Sequence, residues 1–149
     1  MIATATFAAV FAALFVAHSV GDHWIQTQHQ ADHKGLPGWA GRIACAAHVA
    51  TYTATAVVAL AAVALVLDLP LHLGQVAAGL TVSAVTHYIA DRRWPLRWLA
   101  CKTGSERFWV LGAPRADHND NPSLGTGAYA LDQSWHHGWL LVAALIIAA

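Results

Sequence analysis

At three places in this chain a histidine and an aspartate stand four residues apart with no proline between them, each time at one end of a long apolar run. The pairs are His18 with Asp22, His87 with Asp91 and, in reverse order, Asp132 with His136. Residues four apart lie on one face of a helix, so each pair presents an imidazole and a carboxylate in the same direction. His48, near the start of another apolar run, is a seventh candidate without a carboxylate partner. Because imidazole with carboxylate suits zinc, iron or manganese, we predict that these seven residues bind one or two such divalent ions.

The chemistry predicted for this metal site is hydrolysis. A metal ion that keeps one coordination position open lowers the pKa of a bound water toward neutrality. The seven candidates include no glutamate, so the general base would be Asp22 or Asp132. A carboxylate of a pair can also orient the imidazole that binds the ion. Each residue alone is more typical of helix–helix hydrogen bonding or of a proton path, so the metal interpretation depends on all seven occurring together.

Four long apolar segments carry these residues. The chain has 149 residues, of which 57% are hydrophobic and only 11% charged, which is too apolar for an ordinary soluble domain. Each segment is long enough to cross a membrane as a helix. We therefore predict an all-α, polytopic membrane protein, a four-transmembrane-helix bundle that forms one domain over residues 1–149. Its helices are predicted at about residues 2–20, 43–67, 71–91 and 128–149, with a 36-residue insertion at 92–127 between the third and the fourth.

The positive charges indicate how the helices are oriented. All eight lysines and arginines fall in the connections 21–42 and 92–127, and the short connection around Asp68 has none. By the positive-inside rule, both basic connections are cytoplasmic and both termini lie outside. The seven candidates then reach one level near the cytoplasmic face. Helical spacing of polar residues also predicts that the first helix continues toward Gly35, and the basic and aromatic residues after Asp91 are typical of a segment at the membrane interface.

Composition excludes some functions and leaves others open. The formal net charge is zero, so the chain has no basic surface for nucleic acid, and two cysteines cannot form a disulfide framework. The first alternative to a hydrolase is a non-catalytic metal-binding or transport protein. The nearly pure Ala, Val, Leu and Ile composition of the outer halves of three helices disfavours a transport path. The second alternative is a small structural membrane protein in which the polar level only fixes packing. A chain of this size is also compatible with a homo-oligomer.

Several other residues have a functional and a structural interpretation. Cys45 lies on the face of His48 but is more typical of a small buried apolar residue. Tyr52 either donates a hydrogen bond at the site or packs with its hydroxyl satisfied. Arg92 and Arg93 either attract an anionic headgroup or, as we prefer, anchor the end of a helix. The remaining candidates, Asp117, His118 and Asp120, belong to a loop rich in turn residues.

Four stretches together resemble a bacterial and phage membrane family catalogued as domain of unknown function 3307. They are His18–Asp22 with Gln26 and Thr27, residues 48–53, residues 87–91 and residues 131–136. The resemblance implies the fold, a bacterial inner (plasma) membrane location and the polar cluster, but no established activity. A looser similarity to membrane-bound metal-dependent hydrolases implies, by analogy, hydrolysis of a phosphoester or amide bond in a lipid or membrane-surface substrate.

Overall fold

The structure, a computed structural model, describes residues 2–116 and 125–149, so the loop candidates Asp117, His118 and Asp120 lie outside its described part. Within these ranges the chain forms seven α-helices and no strand, which confirms the predicted all-α fold. The helices are α1 (Ile2–Val20), α2 (Gln28–His33), α3 (Gly38–Leu67), α4 (Leu73–Asp91), α5 (Trp94–Lys102), α6 (Glu106–Trp109) and α7 (Gly127–Ala148).

The four long helices pack around one another as an antiparallel bundle. Helix α1 packs against α3 and α7, and α4 packs against the same two helices. The C-terminal end of α1 meets the N-terminal part of α3, where Asp22 approaches His48. The C-terminal end of α4 meets the N-terminal part of α7, where the rings of His87 and His136 are in contact. The predicted polar residues therefore share one end of the bundle.

The interior beyond this polar end is filled by small and branched apolar side chains. Buried residues of α1, α3 and α7 form the core: Val10, Ala13, Leu14, Ala17, Ala56, Leu60, Leu140, Ala143, Ala144 and Ile147. Helix α4 approaches α7 closely at Gly79, where an added Cβ would lie 2.8 Å from the carbonyl oxygen of Ala143. Small residues permit this kind of close helix packing. The core thus closes the bundle on one side of the polar cluster.

The end of α1 differs from the prediction of a helix that continues toward Gly35. Gly21–Ile25 form a π-helical turn, after which the backbone becomes extended at Thr27. The Thr27 hydroxyl accepts a hydrogen bond from the Gln30 N–H, and the Gln30 side chain accepts one from the Thr27 N–H. This capping box starts α2 as a separate helix. The chain consequently turns back toward α4 and brings Lys34 to Asp91.

The insertion at 92–127 is not wholly a loop, because it contains α5 and α6. Helix α5 has Pro95 in its first turn, which suits a residue without an N–H. It buries Leu96 and Ala100 and leaves Trp94 and Trp98 exposed. The helix thus has an apolar inner face and exposed tryptophans beside arginines, and its location at a membrane interface stays a prediction.

Two spans among the described residues are long and apolar enough to cross a membrane, Thr4–Ile25 and Gly38–Leu67. The sequence predicted four membrane-spanning helices, and two of them are long and apolar enough to qualify. Helices α4 and α7 fall outside it because each includes ionisable residues of the polar cluster and other hydroxyl or amide side chains. Length and composition alone thus identify two candidate spans.

Candidate metal centre

All seven predicted residues lie together at one end of the bundle, and each long helix or its direct extension contributes at least one. The four histidines and Asp91 are buried, Asp22 is 10% exposed and Asp132 is 27% exposed. Three overlapping groups have ligand atoms within 4.8 Å of one another: His18, His87 and His136; Asp22, His48 and His87; Asp91, Asp132 and His136. The groups share His87 and His136, so the seven residues form one continuous cluster.

The tightest part of the cluster consists of two imidazoles and two carboxylates. The Nε2 atoms of His48 and His87 face each other at 3.0 Å. Asp22 Oδ1 lies 3.3 Å from the Nε2 of His48 and 3.5 Å from that of His87. Asp91 Oδ2 lies 3.2 Å from both nitrogens. Each carboxylate oxygen therefore forms a small triangle with the same pair of nitrogens.

These spacings match those of atoms that share a metal ion. With metal–ligand bonds of about 2.0–2.1 Å, neighbouring ligands lie about 2.8–3.0 Å apart in octahedral geometry and about 3.3–3.4 Å apart in tetrahedral geometry. The two Nε2 atoms lie at hydrogen-bond distance, so either a shared proton or a cation can hold the imidazoles together. A divalent cation would also attract the two carboxylate oxygens beside them.

A second part of the cluster surrounds His136. Its Nδ1 donates a hydrogen bond of 2.8 Å to the main-chain oxygen of Asp132, so its Nε2 is left with a free lone pair. The ring of His18 lies 4.7 Å away and that of His87 4.3 Å away, between centroids. Asp132 Oδ2 lies 3.6 Å from His136 Nδ1. This second group of possible ligands could hold an ion of its own.

The distribution of unpaired polar atoms also fits a metal ion. Among the described residues, seven buried side-chain nitrogen or oxygen atoms have no hydrogen-bond partner. Six of them belong to the predicted cluster: His18 Nε2, Asp22 Oδ1, His48 Nδ1, His87 Nδ1, Asp91 Oδ2 and His136 Nε2. The Nδ1 atoms of His48 and His87 are the ring nitrogens opposite the Nε2 pair that faces the carboxylates, so only the other four support an ion within the cluster. Buried polar atoms in proteins are nearly always paired, and a bound ion is one explanation for a local exception. The donor set, imidazole with carboxylate, is the one that zinc, iron and manganese accept.

Sequence reasoning missed Lys34 as a member of the site, and for Gln26 it favoured a solvated helix face over a position at the entrance to the site. The Lys34 ammonium forms an ion pair of 2.8 Å with Asp91 Oδ1 and donates a hydrogen bond of 3.2 Å to Gln26 Oε1. The two oxygens of Asp91 are thus divided, one facing the lysine and the other the imidazoles. Periodicity could not reveal this contact, since Lys34 follows the turn at Thr27. The capping sequence Thr27-Gln28-His29-Gln30 was the one available signal of that turn.

Tyr52 and Cys45 have structural roles beside the cluster. The Tyr52 ring stacks on His87 with centroids 4.1 Å apart, and its hydroxyl lies 2.6 Å from the Ser83 hydroxyl. Gly21 makes room for this tyrosine, because an added Cβ would lie 3.2 Å from its ring. The Cys45 thiol points to the main-chain oxygen of Tyr88 at 3.7 Å. These contacts agree with the structural interpretation of both residues: Tyr52 is packed with its hydroxyl satisfied, and Cys45 is a small buried residue.

The two arginines after Asp91 differ in their surroundings. Arg92 is buried, and its guanidinium donates hydrogen bonds to the main-chain oxygens of Lys34 and Leu36. It therefore fixes the connection between α2 and α3 against the end of α4. Arg93 has a positive φ of 60°, is exposed and borders an open cavity. Arg93 also donates a hydrogen bond of 3.4 Å to the main-chain oxygen of Ala31, so the anchoring interpretation fits both arginines, and only Arg93 lines the cavity as well.

A cavity of about 440 Å³ connects the cluster with the outside of the bundle. Asp22, Asp91 and Asp132 line its inner part, together with Lys34 and Gln26. At its rim, the Tyr129 hydroxyl lies 3.4 Å from His23 Nε2. The cluster is therefore closed by the apolar core on one side and accessible from this cavity on the other.

Comparisons with known proteins identify the family. No curated protein and no solved structure matches the chain. Residues 10–149 match the model of a family described as a protein of unknown function, DUF3307. This match includes all seven residues of the cluster and both candidate membrane spans in large part. The chain therefore belongs to the DUF3307 family.

Proposed function

We propose that this protein is an integral membrane metalloenzyme that hydrolyses a phosphoester or amide bond in a lipid or another membrane-surface substrate. It would hold one or two zinc, iron or manganese ions at the cytoplasmic end of its bundle. One observation carries the proposal: the Nε2 atoms of His48 and His87 converge with Asp22 Oδ1 and Asp91 Oδ2 at spacings of 3.0–3.5 Å. A metal ion held at a site that is open to a cavity can activate a bound water as the nucleophile for hydrolysis.

The surface of the bundle supports the membrane part of the proposal. Large apolar side chains point outward from the long helices, among them Val16, Val58, Leu65, Leu73 and Leu145. A soluble monomer rarely exposes apolar residues so widely, whereas lipid would cover them. We propose that α4 and α7 join the two candidate spans as membrane helices of a bacterial inner membrane. The termini would then lie outside, and residues 21–42 and 92–127 in the cytoplasm.

The residues of the site can be given separate roles. His48, His87, Asp22 and Asp91 would hold one ion, and His18 and His136 would hold or support a second. A bound ion would supply Lewis-acid activation of water and of the scissile bond. Asp132 is the most exposed of the seven, lines the cavity and accepts a hydrogen bond of 3.3 Å from Gln133 Nε2. It is therefore the preferred general base, with Asp22 as the alternative.

The packing of the bundle argues against the transport alternative. Beyond the cluster, the interior is filled by the core side chains of α1, α3 and α7, including Val10, Leu14, Leu60 and Leu140. These side chains are 0–3% exposed. An ion that crossed the bundle would have to pass this apolar layer without polar partners, which is costly in a medium of low dielectric constant. A site that opens to one side only suits an enzyme better.

Elemental analysis of the purified protein tests the metal site. The protein is extracted in detergent without added metal, and its metal content is measured for the wild type, His87→Ala and His72→Ala. We expect about one or two ions per chain in the wild type and a large loss in His87→Ala, since His87 belongs to two ligand groups. His72 is an exposed histidine outside the cluster, so His72→Ala should keep the wild-type content.

Hydrolysis is tested on the same preparations with a chromogenic phosphodiester and a chromogenic amide. Activity that is lost on chelation, regained with the metal found by elemental analysis and absent from Asp132→Asn would support the enzyme. A wild type that carries no metal, or a metal content indifferent to His87, would overturn the metal proposal. A loaded protein that is inactive toward both bond types would leave the non-catalytic alternative in its place.

A further inference from the structure

The wall of the cavity beside the cluster is rich in hydrogen-bond donors. Lys34 and Arg93 supply positive charge, and both line the cavity. The Lys34 side chain is only 12% exposed and is held by Asp91 and Gln26, so its ammonium occupies a fixed position. Arg93 is held near the cavity by a hydrogen bond of 3.4 Å to the main-chain oxygen of Ala31. Two cations therefore line the cavity. Once a metal ion neutralises charge on the three carboxylates, these cations can pair with an anionic ligand.

Gln26 adds a donor that has no partner. Its Oε1 accepts a hydrogen bond from Lys34, which makes its Nε2 the side that donates. This Nε2 is buried, lacks any hydrogen-bond partner, and belongs to a residue that lines the cavity. An unpaired buried donor is unfavourable in the free protein and becomes favourable when a ligand supplies an acceptor. The three carboxylates of the cavity leave this donor unpaired, so a ligand with acceptor oxygens beside Gln26 would satisfy it.

From these donors we propose that the cavity binds a phosphoryl group, an inference that rests on the proposed metal-dependent function. A phosphoryl group has several acceptor oxygens arranged in three dimensions, and an arginine or lysine is its usual partner in proteins. An amide bond brings one neutral carbonyl acceptor and no negative charge. Lys34, Arg93 and Gln26 thus favour a phosphoester over the amide that the metal site alone would also permit.

The charges around the cavity make this binding dependent on the metal. Three carboxylates, Asp22, Asp91 and Asp132, line the cavity against the two cations Lys34 and Arg93. The formal sum is minus one, which repels an anion. One divalent ion changes it to plus one, and two ions change it to plus three. Phosphate and metal are therefore expected to bind cooperatively, each raising the affinity for the other.

Calorimetric titration of inorganic phosphate into the detergent-solubilised, metal-loaded protein tests this proposal. The variants are Arg93→Met and Lys34→Met, with Arg97→Met as the matched control, because Arg97 is an exposed arginine of α5 outside the cavity wall. Loss of a charge-assisted hydrogen bond weakens binding by about tenfold or more. We expect this loss in Arg93→Met and Lys34→Met, an unchanged affinity in Arg97→Met, and no binding after chelation. Acetate is expected not to bind.

The metal content of each variant is measured first, so that the two proposals fail separately. A wild type without metal overturns the proposed function and this inference with it. A loaded wild type that binds no phosphate, or binds acetate equally well, overturns this inference alone. The inference is also overturned if Arg93→Met and Arg97→Met behave alike while Lys34→Met keeps wild-type affinity.

The phosphoryl group can come from a lipid headgroup or from a soluble phosphate compound. A short-chain phosphatidic acid, titrated below its micelle concentration, distinguishes them. Binding at least as tight as that of inorganic phosphate supports a lipid source. Binding of inorganic phosphate with exclusion of the short-chain lipid supports a soluble source, and the phosphoryl site itself is supported in both cases.

Discussion

Asp91→Asn and Lys34→Met remove the two partners of one buried ion pair, and we expect them to change metal binding in opposite directions. Asp91 Oδ1 lies 2.8 Å from the Lys34 ammonium, while its Oδ2 lies 3.2 Å from the Nε2 atoms of both His48 and His87. In the proposed metal-bound protein, the carboxylate is a metal ligand on one side and the partner of a lysine on the other. The asparagine variant loses a ligand charge, whereas the methionine variant loses only a cation that competes with the metal.

The magnitude follows from the geometry of the pair. Unit charges 2.8 Å apart attract each other by about 6 kcal/mol at an effective dielectric constant of about 20. Desolvation of both groups offsets much of this energy, and breaking a buried pair typically costs about 3–5 kcal/mol. Because Lys34 is 12% exposed, we expect the lower end, about 3 kcal/mol, for either variant in the metal-free protein. The double variant should be less destabilised than the sum of the single ones.

Metal affinity separates the two roles of Asp91. Loss of a group that merely orients a ligand weakens metal binding by about 10- to 100-fold, so loss of a ligand should weaken it by at least about 100-fold. Asp91→Asn is therefore expected to lose its metal during purification. Lys34→Met should bind metal at least as tightly as the wild type, because the ion no longer competes with the ammonium for Asp91. It should also gain more stability from added metal than the wild type does.

The assay combines elemental analysis with thermal unfolding in detergent, each with and without a chelator. Two results would refute the reasoning. Retention of metal by Asp91→Asn would mean that Asp91 is only the partner of Lys34. Loss of metal from a folded Lys34→Met would mean that the ammonium supports the site rather than competing with the ion.

Two further predictions concern packing rather than ligands. Gly79→Ala should lower the free energy of unfolding by about 1–3 kcal/mol, since its Cβ would lie 2.8 Å from the Ala143 carbonyl oxygen. The control Gly74→Ala, whose Cβ would have no atom within 4 Å, should be neutral or stabilising by up to about 1 kcal/mol. Equal melting temperatures of the two variants would contradict this account of the contact between α4 and α7. Tyr52→Phe removes the hydroxyl contact with Ser83 but keeps the ring stacked on His87. It should therefore lower the free energy of unfolding by about 1 kcal/mol and leave the metal content unchanged. A loss of metal in this variant would assign the tyrosine a direct part in the site.

The sequence predicted the members of the cluster because their signal is local and repeated. A histidine and an aspartate four apart share a helix face whatever the tertiary structure, and each pair stands at the end of an apolar run. The contacts within two of these pairs are observed, His18 with Asp22 and His87 with Asp91. The two pairs lie at the same end of the bundle because α1 and α4 both run antiparallel to α3 and α7. The spacing of residues along the sequence does not give their distances in space. It therefore could not distinguish the tight group around His48 from the second group around His136.

The parts that the sequence did not predict depend on how the connections fold back. Spacing places Lys34 only among the cytoplasmic charges, because the turn at Thr27 interrupts the helical pattern that would connect it to the cluster. The spacing of Gln26 indicates a solvated helix face, yet this residue receives the Lys34 ammonium and borders the cavity. Neither α5 nor α6 has a long apolar pattern, so the sequence predicts no helix for them. Helices this short are determined by tertiary contacts more than by propensity.

Three consecutive residues at the end of α4 connect these features into one arrangement. Asp91 faces the imidazoles and the Lys34 ammonium, and Arg92 holds the main-chain oxygen of the same lysine. The connection between α2 and α3 is thus fixed by Arg92 in the position that lets its lysine reach Asp91. Arg93 then takes a positive φ, which reverses the chain into α5 and leaves its side chain at the cavity. A proposed metal ligand, an anchor and a cavity cation follow one another in sequence because the helix ends where the cluster meets the cavity.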